Sequence, residues 1–212
     1  MVAVRIYVEG GGSTRREQEP LRNGFAALFA KVLGARSKPT VIACGPRKEA
    51  FNDWKCALST YPNALCLLLV DSEEAVRTSP WEHVRTRKGD GWDKPDSASD
   101  DHLHFMVQAM EAWLIADPDT LASHYGQGFK RSALPARKDV EAIAKPELYD
   151  ALSRATKETR TKGTYDKSHG FLLIGQLDAN KVQATCPHAA RFFSTLTSAC
   201  DTVTRAPRKA PP

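Results

Sequence analysis

Residues 64–74 read Ala-Leu-Cys-Leu-Leu-Leu-Val-Asp-Ser-Glu-Glu. An unbroken apolar run of strand length, ending abruptly at acids, predicts a central strand buried on both faces. Its carboxyl end presents Asp71 and Glu73, and in open α/β sheets that edge is where ligands and chemistry collect. The amino terminus repeats the pattern: Val2–Val8 alternates, then runs apolar, and ends in Glu9-Gly10-Gly11-Gly12. Two strand ends thus offer carboxylates, and their convergence on one divalent cation is the expectation that organises the remaining reading.

Outward from these strands, the chain alternates. Thr14-Arg15-Arg16-Glu17 has the spacing of a capping box, and Leu21, Phe25, Leu28, Phe29 and Val32 follow at helical intervals until Gly34. Thr40–Cys44 reads as a second strand, and Phe51, Trp54 and Leu58 mark the helix after Gly45-Pro46. Strand, helix, strand, helix, strand implies right-handed crossovers and an α/β fold with a mainly parallel central sheet flanked by helices. From about 75 to 101 a polar insertion holds Pro80, Trp81, Arg85, Arg87, Lys88, Trp92 and Lys94, and its two tryptophans suit either a sheet cover or stacking on an unpaired base. His102–Val107 reads as another strand, with His102 and His104 structural. Residues 108–116 read as a helix whose apolar residues surround Glu111. Asp117-Pro118 has the form of an N-cap with proline at the first helical position. The last third is more helical (146–156, 171–177, 188–196), with a basic loop at 157–169. The expected division is an α/β core at 1–126, a helical appendage at 127–200 packed on it, and a disordered basic tail at 201–212.

Composition narrows the classes. With 212 residues and 42% hydrophobic content the chain can form one sizeable core. Five cysteines, odd in number and without a Cys-x-x-Cys pair, point to reduced thiols in a cytoplasmic protein, not to a disulfide or zinc framework. No apolar run is long enough to span a bilayer and Met1 leads straight into strand-like residues, so neither membrane nor secretion is expected. A net charge of +5 permits a polyanionic partner.

Carboxylates crowded a few ångströms apart repel unless a cation joins them, and Mg²⁺ takes hard oxygen ligands together with substrate phosphate. Glu9, Asp71 and Glu73 supply that inventory, and Glu111 is a candidate fourth ligand. Helix capping and surface ion pairing are the competing readings for each acid. Arg160, Lys162, Lys167 and His169, with Arg85, Arg87 and Lys88, are candidate phosphate contacts. Gly10–Thr14 before a helix could cradle a phosphate, but it lacks the Lys-Ser/Thr ending of a Walker loop.

Tyr7-Val8-Glu9-Gly10, Ala43-Cys44-Gly45, Leu69-Val70-Asp71-Ser72-Glu73, Pro80-Trp81, residues 106–113, Ala116-Asp117 and Tyr165-x-Lys167 together resemble a bacterial family, domain of unknown function 4276. Val-Glu-Gly and the Asp-x-acid pair also resemble the motifs of Toprim domains, although Toprim pairs usually carry Asp where this chain has Glu73. The resemblance implies a Toprim-like fold and a Mg²⁺- or Mn²⁺-dependent nuclease acting on DNA or RNA. It makes Glu9 the general acid or base and Asp71 and Glu73 metal ligands. It also implies an anti-phage defence effector working with an AAA- or ABC-type ATPase partner. A non-catalytic subunit of an ATPase complex and a nucleotidyl transferase are the alternatives.

Overall fold

A computed structural model describes residues 3–205. Four strands, β1 (Ala3–Val8), β2 (Thr40–Ala43), β3 (Ala64–Asp71) and β4 (Leu103–Met106), form a parallel sheet in the order β2-β1-β3-β4. Nine α-helices are present among the described residues: α1 (Arg15–Leu33), α2 (Arg47–Thr60), α3 (Pro80–Thr86), α4 (Glu111–Ala116), α5 (Pro118–Tyr125), α6 (Lys145–Thr156), α7 (Lys167–Leu173), α8 (Ala179–Thr185) and α9 (Pro187–Arg205). The α/β expectation is met. None of these helices is long and apolar enough to cross a membrane.

Why β3 is central follows from its composition. Its last six residues, Cys66–Asp71, are buried, and hydrogen bonding to β1 and β4 on either side satisfies the backbone that the apolar run carries inside. Side chains alternate across the sheet. Val4, Ile6 and Val8 of β1 with Leu67 and Leu69 of β3 face one layer, built from α1 and α4–α9. Tyr7 of β1 with Cys66, Leu68 and Val70 of β3 face the other, built from α2, α3 and the loop after α3. The helical last third is therefore continuous with the first-layer core, where Trp113 meets Phe25 and Phe193 edge-on.

The chain leaving β1 turns to the first layer through α1, whereas the chain leaving β3 turns to the second through α3. This divergence opens a crevice between the carboxyl ends of β1 and β3, the topological switch point of the sheet.

Several local expectations are met in detail. Thr14 and Glu17 form the reciprocal capping box and Gly34 ends α1 with φ 58°. The Asp117 carboxylate caps α5, accepts Lys181 Nζ at 2.8 Å, and is held down at about 2 although burial alone would raise it. The cap accounts for its role. His104 is buried with Nε2 3.0 Å from the Asp101 backbone carbonyl oxygen, and burial first, then Arg191, pulls it down to about 3, so it is a neutral core histidine.

The 75–101 stretch is a second-layer cover. Trp81 lies 5.4 Å from Trp54, and Trp92 stacks on Phe51 at 4.4 Å, which removes both from base stacking. Three boundaries shift. The expected helix at 108 begins at Glu111, because residues 107–110 form a turn between β4 and α4 in which the Gln108 carbonyl accepts the Glu73 amide at 2.9 Å. The basic loop ends at Asp166, since Asp166 caps α7. Helix α9 continues to Arg205, so the stretch read as a tail is helical over 201–205, and 206–212 lie outside the described residues.

Within the first layer α1 and α7 meet tightly at Gly24, where an added Cβ would clash with the Phe171 carbonyl oxygen. Gly24→Ala should overpack this contact, at a cost of about 1–3 kcal/mol, and lower the Tm by several degrees. A thermal melt of the variant that overlays the wild type would refute the close approach.

Candidate active site

Strand alternation decides which groups reach the crevice. Following Val8, Glu9 points toward the second layer and meets the start of α2, whereas Asp71 and Glu73 point toward the first layer and meet α6. The two sides join between the strands. The Glu9 amide donates to the Leu69 carbonyl at 3.0 Å, and the Asp71 amide donates to Glu9 Oε2 at 3.1 Å. One carboxylate oxygen from each of Glu9, Asp71 and Glu73 lies within 4.8 Å of the others. Mg²⁺ takes hard oxygen ligands, one or two carboxylates among them, and three carboxylates this close would supply that donor set. The residues fit the group.

Backbone geometry supports the convergence. Glu73 has φ 68°, a left-handed conformation unfavourable for a side chain with Cβ by about 1–2 kcal/mol. It turns the chain so that Glu73 comes back beside Asp71. Opposite, Gly10 and Gly45 exchange backbone hydrogen bonds at 2.7 and 3.0 Å. Gly45, at φ 76°, leaves no room for a side chain, because a Cβ there would lie 2.5 Å from the Gly12 carbonyl oxygen. Glu9–Ser13, Gly45, Pro46, Asp71, Met106, Met110, Lys167 and Phe171 line a cleft of about 270 Å³.

Two cations hold the acids, one from each layer. Arg47 Nη1 donates to Glu9 Oε2 at 3.1 Å and to the Asp71 carbonyl oxygen, and its Nε and Nη2 form a bidentate pair with Asp90, both at 2.8 Å. Lys145, the first residue of α6, donates to Glu73 Oε1 at 2.7 Å and to Asp71 Oδ2 at 3.3 Å. The other Asp71 oxygen accepts the Met110 amide at 2.9 Å. Burial, then the neighbouring Glu9 charge, with a smaller contribution from Glu111, pushes Asp71 up to about 7 against the pull of Lys145 and Lys167. Burial likewise raises Glu9 despite Arg47.

The other candidates sort clearly. Lys167 is exposed at the start of α7 and lines the cleft. Glu111 is fully buried and outside the close triad. Tyr165 Oη donates to its Oε1 at 2.8 Å, and its Oε2 has no hydrogen-bond partner among the described residues. His169 bonds through Nδ1 to Tyr125 Oη at 3.0 Å. Arg160 and Lys162 are exposed on the loop before α7 and do not line the cleft. The phosphate cradle anticipated at 10–14 is partly taken, since Glu17 Oε2 already accepts the Ser13 and Thr14 amides at 3.0 and 2.9 Å. Sequence reading missed Arg47, Asp90 and Lys145. The only signal for Lys145 was its place just before Pro146, and for Arg47 its place just after Gly45-Pro46.

The sequence matches a family model described as domain of unknown function (DUF4276) over residues 8–197. The chain belongs to that family. No curated protein and no solved structure matches it. The DUF4276 match begins at Val8 and ends at Thr197, so it takes in the triad and both cations that hold it.

A raised carboxylate stabilises the fold while it is protonated. The Asp71 contribution is present below the ordinary aspartate range near 4 and is lost as pH rises through about 7. Metal-free Asp71→Asn should therefore match wild type near pH 4–5 and exceed it in Tm near pH 8. A difference independent of pH would show that Asp71 is not perturbed.

Proposed function

We propose that this DUF4276 protein is a divalent-metal-dependent phosphodiester hydrolase, most specifically a Toprim-like nuclease using Mg²⁺ or Mn²⁺. The observation that carries it is the triad of Glu9, Asp71 and Glu73 at the switch point of the sheet, two of whose members, Glu9 and Asp71, line a cleft also reached by Lys167. Glu9, Asp71 and Glu73 hold the ion. When bound, it supplies charge for the phosphoryl oxygens and a lowered pKa for water. In hydrolysis a water oxygen forms a bond to phosphorus and one ester P–O bond breaks, so one proton leaves the water and one reaches the departing oxygen. Glu9, raised by burial, suits the proton-accepting role. Lys167 reaches the phosphate from the first layer, and Met110 and Phe171 exclude bulk water on one side. The role as a defence effector, and an ATPase partner, rest on the family resemblance and on no residue of the site.

One observation favours the second reading, a non-catalytic subunit. Lys145 already pairs with Asp71 and Glu73, which is how a purely structural ion-pair network is built. The two readings separate at Lys145. If the acids serve a metal, Lys145→Ala should lower the Tm of the metal-free protein by the equivalent of about 1.5–3 kcal/mol and restore it on adding Mn²⁺. Calorimetry should then show tighter Mn²⁺ binding than in wild type. A stability loss that Mn²⁺ does not reverse supports the structural network.

Activity tests the chemistry itself. Asp71→Ala with Glu73→Ala should reduce Mg²⁺- or Mn²⁺-dependent cleavage of DNA or RNA roughly a thousandfold, since charge stabilisation by a bound metal amounts to several kcal/mol. Undiminished cleavage by the double variant removes these residues from the mechanism. Nucleotide incorporation onto a primer in place of cleavage would reassign the same carboxylates to nucleotidyl transfer.

A further inference from the structure

Arg47 links two concavities: it lines the second and holds Glu9, which lines the first. On one side lie Glu9 and the Asp71 carbonyl; on the other, beyond Asp90, a second cleft of about 440 Å³ opens between the start of α2 and the loop after α3. Arg47, Lys48, Arg87 and Lys88 line it, and Asp90 is the one carboxylate among its lining residues. Asp90 is nearly inaccessible, its side chain 2% exposed, and it bridges Arg47 at 2.8 Å and Arg87 at 3.0 Å. It therefore acts as the latch that fixes the two segments. Lys48 and Lys88 are different: both are exposed, and neither has a carboxylate partner among the described residues. Two unpaired ammonium groups from separate segments, facing one recess next to a candidate phosphodiester site, are placed to meet an anion.

We infer that this cleft holds the sugar-phosphate backbone of a single nucleic-acid strand whose neighbouring phosphodiester occupies the carboxylate site. The inference rests on the phosphodiester hydrolase reading and adds the path of the substrate. A recess of about 440 Å³ suits the sugar-phosphate of one strand. Its two aromatic residues, Phe51 and Trp92, are buried against each other and not available to a base. Trp92 is 7% exposed, parallel to Phe51 at 4.4 Å, with the Arg47 guanidinium 4.8 Å from its ring centre. With no stacking platform open, the grip is on phosphates, and it does not depend on sequence. The rival basic surface, Arg160 and Lys162, lines neither cleft.

The test uses full-length protein in EDTA, so that binding is read without metal or turnover, and two fluorescein-labelled 15-mers, oligo(dT) and oligo(U), followed by anisotropy across a salt series. Wild type should bind both, with affinity falling as salt rises. Lys48→Ala with Lys88→Ala, both exposed and expected to fold, should bind roughly tenfold more weakly, with the slope of log affinity against log salt shallower by about 1.4, the value for two phosphate contacts on a single strand. Arg160→Ala with Lys162→Ala should bind as wild type does. Equal affinity and slope for the Lys48/Lys88 variant, or a loss seen only in the Arg160/Lys162 variant, overturns the proposed path. Asp71→Ala with Glu73→Ala is the separating control. If it binds normally but cleaves nothing, the path and the chemistry stand together. If wild type binds through Lys48 and Lys88 yet never cleaves, the path survives and the hydrolase reading falls.

Discussion

Three carboxylates crowded at the carboxyl edge of a parallel sheet, Asp71 buried and Glu9 and Glu73 partly so, are the constraint to which the surrounding structure answers. Burial, and after it repulsion from Glu9, pushes Asp71 up to about 7. The fold relieves the repulsion with one cation from each layer, Arg47 behind Glu9 and Lys145 behind Asp71 and Glu73. The arrangement follows from strand alternation at a switch point. Because side chains at successive positions face opposite layers, the two strands that meet there deliver acids to opposite sides of one gap, and each side then needs its own counter-charge.

Much of the fold was legible because it is written in local patterns. The run ending at Asp71 could only be a strand buried on two faces, and the Thr14–Glu17 box and Gly34 set the ends of α1 within a residue. The start of α4 and the start of α7 were not legible in the same way. Val107, Ala109 and Met110 suit a helix, but the Gln108 carbonyl accepts the Glu73 amide and residues 107–110 form a turn ahead of α4. Lys167 looked like part of a charged loop until the Asp166 cap turned it into the first residue of a helix.

The site shows the same divide. Glu9, Asp71 and Glu73 announce themselves by standing where apolar strands stop. Glu111 stands near them in the pattern but is buried with Tyr165, a tertiary outcome no spacing encodes. Arg47, Asp90 and Lys145 belong to a chain with 30 basic and 25 acidic residues, and nothing local separates them from their solvated counterparts. Their selection is made by register and layer packing: Arg47 because α2 starts where β2 ends, Asp90 because the α3 loop folds over Trp92, Lys145 because α6 starts beside Gln108.

Lys145 lies 72 positions after Glu73, on a helix that stays in place only when the first layer has assembled. During synthesis the acidic edge therefore leaves the ribosome well before the ammonium that neutralises it. The order of emergence makes the final geometry of this pocket a property of the finished chain, out of reach of any nascent fragment that stops short of α6.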